Sequence, residues 1–188
     1  MNQKLSMSDL ERMDANDFKQ SEKMPVVIIL DNVRSLHNVG SVFRTCDAFR
    51  VEALYLCGIT GTPPHKELHK TALGATETVN WKYSDATINA INELKELGYK
   101  IYCIEQTQKS VMLHQSQLTG KIAFVFGNEV EGVSDNIIQT ADACIEIPQF
   151  GTKHSFNVAV TVGMILWETF RQKNNTSPRY HYARHPSP

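Results

Sequence analysis

The sequence predicts one α/β domain built on a mainly parallel β-sheet flanked by helices, and three observations support this prediction. The chain has 188 residues, 41% of them hydrophobic, which is enough for one compact core and too few for two full-sized domains. From Met24 onward, short β-branched or aromatic runs alternate with stretches of helical spacing. Several short runs are apolar at every position, as strands are when helices cover both faces of a sheet. This alternation is typical of the α/β class.

Each element follows from its local pattern. The predicted strands are residues 26–30, 53–57, 78–83, 100–104, 122–126 and 143–147. The predicted helices are residues 39–49, 66–73, 86–97, 135–140 and 158–172. In the third of these helices, Ile88, Ile91 and Leu94 form one apolar stripe, and Gly98 follows as a stop signal. The elements divide the chain into an arm over residues 1–24, a domain over 25–173 and a basic tail over 174–188.

Composition limits the classes of function. The formal net charge is −1, so global charge gives no argument for a nucleic-acid partner, and any such surface must be local. The last eighteen residues provide one candidate, because they contain four basic side chains and no acidic one: Arg171, Lys173, Arg179 and Arg184.

No stretch of the sequence predicts a membrane span. The longest aliphatic run, residues 26–30, is too short to cross a bilayer, and residues 1–23 have no signal-peptide core, so we expect a cytoplasmic protein. The four cysteines form no CxxC pair, which favours buried thiols over disulfides or a zinc site.

Ligands of open parallel sheets bind beyond the carboxyl ends of the strands, so the segment after the first strand is the first place to search. There we predict Asn38 as a helix N-cap, with Arg44 near the start of that helix. A solvated helix residue is one interpretation of Arg44. The other interpretation is a ligand contact, because apolar residues flank Arg44 and the helix macrodipole does not stabilise a cation near the start of a helix.

Two later segments also carry polar groups at strand ends. Gly127 follows the fifth predicted strand, with Glu129 and Gly132 close behind, and this spacing fits either a close approach of backbone to a ligand or a tight turn. It is not a phosphate-binding loop, because no Lys-Ser/Thr pair follows and the chain contains no GxGxxG. After the last strand, Ser155 is a candidate cap of the final helix, which would present backbone donors to the sheet edge.

Together the three segments resemble the motifs of the SpoU/TrmH family of the SPOUT superfamily. Asn38, Gly40 and Arg44 match NxGxxxR. Residues 126–132 match a strand end followed by GxExxG. Residues 147–151 and 155–159 are similar to IPxxGxxxSxNVxxA, with Phe156 where the family usually has leucine and AVTVG from Ala159 onward varied from its usual small-residue helix start. The resemblance extends over about residues 25–170, with the motifs in the family's order and spacing.

The resemblance implies a deep trefoil knot in the last third of the domain, which periodicity alone does not predict. It also implies a homodimer with active sites at the subunit interface. It also implies an S-adenosylmethionine-dependent RNA methyltransferase that modifies ribose 2′-hydroxyls. The residues that would hold this cofactor are Ile104, Gly127, Ile147, Gln149, Ser155 and Phe156. The residues that would converge on the ribose are Asn38, Arg44, Glu129, Ser155 and Asn157.

Within this implied site, Arg44 is a poor general base, because a guanidinium stays protonated. We therefore expect Arg44 to stabilise a developing alkoxide and anchor a phosphate, while RNA phosphate or water takes the proton. For Glu129 we expect an orienting contact to Arg44 or Asn38.

An RNA-facing rim is predicted around the site, although a solvated helix face is an equal alternative. Its residues are Arg34, Lys66, Lys70, His154, Arg171 and Lys173, joined by His65 and His69. His154 is equally well explained as an exposed loop histidine. His65 and His69 have the spacing of a metal pair, but HKELH fits neither zincin pattern and provides no third ligand, so we expect no metal.

The size and the basic tail favour tRNA as substrate, with a D-loop guanosine as target. A wobble-position tRNA enzyme or an rRNA enzyme is the nearest alternative. A non-catalytic RNA-binding protein of the same fold is the alternative from another class, and the presence of all five ribose-site residues disfavours it.

Overall fold

Seven parallel strands form the sheet on which the site is built. The structure, a computed structural model, describes residues 4–6 and 12–176. The strands are β1 (Met24–Asp31), β2 (Val51–Cys57), β3 (Trp81–Ser84), β4 (Lys100–Ile104), β5 (Val111–Met112), β6 (Ile122–Phe126) and β7 (Ala143–Glu146). Their spatial order is β3-β2-β1-β6-β4-β7-β5, and each neighbouring pair is parallel. The predicted α/β class with a parallel sheet is confirmed.

Helices cover both faces of this sheet. They are α1 (Ala15–Gln20), α2 (Leu36–Ala48), α3 (Lys66–Ala72), α4 (Ala75–Thr78), α5 (Thr87–Glu96), α6 (Asp135–Thr140) and α7 (Val158–Thr176). Helices α2, α3 and α7 pack on one face, where Leu30, Phe43 and Leu166 are fully buried. Helices α5 and α6 pack on the other face, around residues such as Ile29 and Ile91. The fully apolar strands are thus buried from both sides, as predicted.

Beyond small shifts at the ends of several elements, three differences from the predictions stand out. The strand expected over residues 78–83 begins at Trp81, because residues Ala75–Thr78 form the short helix α4 and the Thr78 hydroxyl donates to Asp47. The two-residue strand β5 was missed, since so short a run has no detectable alternation. Helix α2 begins at Leu36 rather than at residue 39.

The ends of the chain are only partly described. Helix α1 lies within the predicted arm, of which residues 1–3 and 7–11 lie outside the described residues. Helix α7 continues through residue 176. The remaining tail, with Arg179 and Arg184, also lies outside the described residues.

All four cysteines are free and buried, as predicted. Burial raises the pKa of Cys57 and of Cys103 to about 12, so these two thiols stay protonated at neutral pH. Among the described helices, none combines the length and apolar content that crossing a bilayer requires. In the same part of the chain, no three His, Cys, Asp or Glu side chains are grouped to hold a metal ion.

Close contact between α2 and α3 depends on Gly40. A Cβ atom built on Gly40 would lie 2.1 Å from the Thr71 hydroxyl oxygen and 2.3 Å from the backbone oxygen of Leu68. A backbone oxygen cannot swing aside as a flexible side chain can. Gly40 therefore sets the distance between the two helices, and with it the position of the residues at the start of α2.

We predict that Gly40→Ala destabilises the protein by about 1–3 kcal/mol, because the added methyl group forces α2 and α3 apart. Denaturant unfolding measures this change as a lower transition midpoint. Ser41→Ala, the neighbouring position on α2, is the matched control and should change stability by less than about 0.5 kcal/mol. Equal stability of the Gly40→Ala variant and the wild type would contradict the packing role.

Candidate functional site

A cleft of about 690 Å³ lies beyond the carboxyl ends of β4, β6 and β7. The order of the strands reverses in this region, because the chain runs from β1 outward to β3 and then returns on the far side of β6. Ligands of parallel sheets bind at such a reversal point. The cleft is lined by all six residues predicted to hold a cofactor: Ile104, Gly127, Ile147, Gln149, Ser155 and Phe156.

Three side chains from distant parts of the sequence meet at one edge of this cleft. The Asn38 amide nitrogen donates to Glu129 at 2.9 Å, and the Asn157 amide nitrogen donates to the Asn38 oxygen at 3.0 Å. The backbone N–H of Arg34 donates to the second Glu129 oxygen at 3.4 Å. The expected contact between Glu129 and Asn38 is therefore confirmed, and all three sequence motifs come together.

The caps of two helices differ from those predicted. Ser35, not Asn38, caps α2, since its hydroxyl accepts from the backbone N–H of Asn38. The Asn38 side chain is thereby free to bond Glu129. Asn157, not Ser155, caps α7 by accepting from the backbone N–H groups of residues 159 and 160. Asn and Ser are comparably good caps, so residue preference alone does not select between neighbouring candidates.

The Gly127–Gly132 segment is a tight turn that lines the cleft. A Cβ atom on Gly127 would lie 2.0 Å from the Gly132 carbonyl carbon, so the turn closes backbone on backbone. The Asn128 side-chain oxygen accepts from the backbone N–H groups of Val130 and Glu131 inside this turn. The sequence left a ligand contact and a tight turn open as alternatives, and the geometry shows a turn whose residues also line the cleft.

Glu129 is ionised at neutral pH. Partial burial raises the pKa of its carboxyl, but hydrogen bonds from Asn38 and from the backbone N–H groups of Glu129, Arg34 and Ser35 lower it by more, so the pKa lies below its usual range. A carboxylate in this state accepts hydrogen bonds and has no proton to give. This state suits Glu129 to orient a hydrogen-bond donor rather than to act as an acid.

Arg44 projects into solvent from α2, as its ninth residue rather than near its start. It makes no hydrogen bond or ion pair with any residue that the structure describes, and it does not line the cleft. Val42, Phe43 and Cys46 beside it are buried. Both interpretations of Arg44 remain compatible with this exposed position.

Four of the predicted RNA-facing residues fall into two groups. Arg34 and His154 lie at the cleft, and both are exposed. Lys66 and Lys70 lie exposed on α3, where Lys70 pairs with Glu67 at 2.8 Å. The histidine side chain at position 65 caps α3, since its Nδ1 accepts from the backbone N–H of Glu67.

Arg171 and Lys173 are not beside the cleft in a single chain. Helix α7 begins at the cleft, and at 1.5 Å per residue it carries Arg171 about 20 Å away. There Arg171 pairs with Glu168 at 2.7 Å, and the Lys173 ammonium donates to the Gly120 carbonyl. Burial lowers the pKa of Lys173.

Two cleft residues, Glu105 and Gln106, were missed in the sequence. The Glu105 carboxylate accepts from the backbone N–H of Val133 at 3.1 Å, and the Gln106 amide donates to the carbonyl of His154 at 3.1 Å. Both residues directly follow β4, a strand whose bounds were predicted correctly. A search for polar residues just after this strand, as was made for three other strands, would have found them.

Three carboxylates at the cleft are held by neutral donors. Glu105 accepts from backbone N–H groups, Glu129 from Asn38, and Glu146 from the Ser110 hydroxyl. Among the lining residues that the structure describes, none is Lys or Arg. The cleft therefore carries uncompensated negative charge, which favours a cationic ligand.

Comparisons with known proteins agree with this geometry. The chain is 35% identical, over 79% of its length, to a protein of Neisseria meningitidis serogroup B named 23S rRNA (guanosine-2′-O-)-methyltransferase RlmB, and it spans only 59% of that relative's length. It is 32% identical, over 82% of its length, to the tRNA (guanosine(18)-2′-O)-methyltransferase of Aquifex aeolicus, of which it spans 72%.

A solved structure of an AdoMet-bound rRNA methyltransferase from Sinorhizobium meliloti superimposes with a TM-score of 0.74 at 25% identity, over 84% of this chain and 59% of that one. The sequence model of the SpoU rRNA Methylase family matches residues 25–167, which include β1 from its second residue, β2 to β7 and every residue of the Asn38–Glu129–Asn157 contact. The resemblance inferred from the three motifs is thus confirmed, and this chain belongs to the SpoU rRNA methylase family.

Proposed function

We propose that this protein is an S-adenosylmethionine-dependent RNA methyltransferase that methylates a ribose 2′-hydroxyl. The observation that carries the proposal is the hydrogen-bonded set of Asn38, Glu129 and Asn157 at the edge of the cleft. Such a set of amides and a carboxylate can orient a sugar hydroxyl through both donors and acceptors. The names of the relatives from Neisseria and Aquifex support the same reaction.

The residues of the cleft fit this methyl donor. Ile104, Ile147 and Phe156 provide apolar walls for an adenosine, as most small-molecule sites do. In the described segment 149–156, no backbone N–H donates to another protein group, so these donors are free to bind polar ligand atoms. Glu105, Glu129 and Glu146 supply the negative charge that suits a sulfonium. When bound, the donor would supply an activated methyl group.

The contribution of the protein to this reaction is mainly positioning. An in-line transfer needs the attacking oxygen about 3–3.5 Å from the methyl carbon, and orientation supplies much of the rate. We infer that Asn38 and Asn157 hold the ribose through the edge of the cleft and that the ionised Glu129 keeps Asn38 in place. Ser155 lines the cleft beside them and provides a further hydroxyl contact.

Arg44 is proposed to stabilise the developing alkoxide and to anchor an RNA phosphate. Arg44 is exposed, and its guanidinium makes no hydrogen bond or ion pair with a described residue, so it is available for a polyanion. A guanidinium stays protonated, which excludes it as the base and suits it as an electrostatic stabiliser. RNA phosphate or water is then the proton acceptor.

For the substrate we propose tRNA, with a D-loop guanosine as the target. The Aquifex relative, 32% identical over 82% of this chain, is named for tRNA guanosine 18, and the Neisseria relative is named for 23S rRNA. rRNA is the second candidate, which the slightly higher identity to the Neisseria protein favours. Arg34, His154, Lys66 and Lys70 would contact phosphates around the cleft.

We propose a homodimer that uses α7. Val160 and Trp167 on this helix are 52% and 58% exposed, which is unusual for large apolar side chains on a helix that otherwise packs in the core. A second copy of the chain would cover these two side chains. The dimer would also bring Arg171 and Lys173 of one subunit near the cleft of the other, where they could contact RNA. We also propose that the C-terminal part of the domain forms a trefoil knot and that residues 25–173 are the catalytic unit. The proposed location is the cytoplasm.

Binding of S-adenosylmethionine and S-adenosylhomocysteine, with no binding of ATP, is the expected outcome of calorimetry. ATP shares the adenosine, but its triphosphate would face the carboxylates of the cleft. Incubation with total RNA and radiolabelled cofactor should then place the methyl group on a ribose of tRNA. Absence of binding by the first two ligands would exclude the methyltransferase, and label only in rRNA would select the second candidate.

Glu129→Gln should lower the turnover number about 10- to 100-fold, because Asn38 and the Arg34 backbone N–H lose a charged acceptor. The shape of the pH–rate profile above pH 6 should not change, since the wild-type carboxyl has a lowered pKa and is already ionised there. Glu96→Gln on α5, an exposed change of the same charge, is the control. A shifted pH profile would instead make Glu129 an acid or base.

Arg44→Lys should reduce turnover about 10- to 100-fold while leaving the Kd for S-adenosylmethionine unchanged, because lysine keeps the charge but loses the planar fork. Steady-state kinetics with tRNA and calorimetry with the cofactor separate the two effects. Near-full turnover with an unchanged pH dependence would show that the planar guanidinium has no special role.

A further inference from the structure

The segment from residue 148 to 156, here called the cleft loop, is held to the rest of the protein by very little. No backbone N–H of residues 149–156 donates to a described group. The one hydrogen bond between the cleft loop and the rest of the described chain runs from the Gln106 amide to the carbonyl oxygen of His154, at 3.1 Å. Phe150, at the tip of this loop, is 98% exposed, so packing does not replace the missing hydrogen bonds there.

His154, which accepts this hydrogen bond, directly precedes two residues of the cleft wall in the sequence. Ser155 and Phe156, the next two residues in the chain, both line the cleft. Asn157 then ties the chain to Asn38 at 3.0 Å. The two cleft residues thus lie between two fixed points, the His154 carbonyl on one side and the Asn157 side chain on the other.

The residue before Gln106 holds the opposite wall of the cleft. Glu105 accepts from the backbone N–H of Val133 at 3.1 Å and from that of Gln106 at 2.7 Å. Gly132 has a φ of +68°, and a Cβ atom on it would lie 2.2 Å from the Glu105 carboxylate, so the 127–133 turn rests directly on this side chain. Two consecutive residues at the end of β4 therefore connect both loops that wall the cleft.

We propose that Gln106 is a positioning residue for the methyl donor. It acts through His154, whose carbonyl it holds, and so keeps Ser155 and Phe156 at the distance from Ile104 and the 127–133 turn that the donor requires. The inference rests on the proposed function, because it concerns the same cleft. It adds a specific role for a side chain that belongs to none of the three motifs.

The proposal has a readout that does not involve the cofactor. Lys153 precedes His154, so trypsin cleavage after Lys153 requires the cleft loop to leave its position at Gln106. Gln106→Ala removes the amide, and Gln106→Glu keeps the size of the side chain but has no N–H to donate. Gln108→Ala and Gln108→Glu are the matched controls, since Gln108 is exposed two residues along and does not line the cleft.

Both Gln106 variants should accelerate cleavage after Lys153 about three- to tenfold, the effect of one exposed hydrogen bond. Gln106→Ala should also raise the Kd and the KM for S-adenosylmethionine by a similar factor, with kcat at saturating cofactor changed less than twofold. Gln106→Glu serves only the cleavage measurement, because its added carboxylate in the cleft would itself attract the sulfonium. The melting temperature should not change, because Gln106 is exposed. The Gln108 variants should match the wild type in every measurement.

Each other result overturns a defined part of the proposal. Unchanged cleavage in the Gln106 variants shows that the hydrogen bond does not hold the loop. Faster cleavage with an unchanged Kd shows that the loop does not position the donor. A wild-type chain that binds no S-adenosylmethionine overturns the proposed function, and the cofactor role of Gln106 with it.

Discussion

The amide of Asn38 is the contact on which the arrangement of the site depends. Its nitrogen donates to Glu129 and its oxygen accepts from Asn157, so one side chain connects segments that lie 91 and 119 residues away in the sequence. An amide is suited to this role because it carries a donor and an acceptor side by side. Asn157 in turn caps α7, and the motif around Glu129 closes the turn beside the cleft. Loss of this amide would remove both hydrogen bonds that join α2 to the segments around Glu129 and Asn157.

Close backbone approach makes that contact possible. Gly40 lets α2 lie against the backbone of α3, and Gly127 lets the turn after β6 close on Gly132. At both positions a side chain would collide with backbone atoms, which cannot rotate away. The glycines of the first two motifs therefore act through packing, whereas Asn38 and Glu129 act through hydrogen bonds. Both kinds of motif residue position the same edge of the cleft.

Charge is distributed in a way that the total conceals. The net charge of −1 includes three hydrogen-bonded carboxylates that face the cleft, and a set of basic side chains on the surrounding surface. A negative cleft would attract a cationic cofactor, and exposed cations such as Arg34 and Arg44 around it would attract a polyanion. This separation would let one surface serve two ligands of opposite charge.

Most of the fold could be predicted because its signals are local. Strands β4 and β6 have the predicted bounds, since a buried parallel strand is an unbroken apolar run, and α6 does as well. Helix α4 was missed because Thr78 makes a tertiary bond to Asp47, and β5 because two residues form no pattern. The caps were misassigned to Asn38 and Ser155, since several adjacent polar residues could each cap a helix equally well.

The sequence by itself therefore determined the α/β class, the three motifs and their membership of the SpoU family, because apolar periodicity and spaced polar residues can be read along the chain. Only the tertiary structure decided that Asn38 bonds Glu129 and Asn157, that Arg171 lies far from the cleft, and that Glu105 and Gln106 brace its walls. The reason is physical: parallel strands bring their carboxyl ends to one edge, and which side chains meet there depends on strand order. That order, with β6 between β1 and β4, is a property of the assembled sheet rather than of any segment.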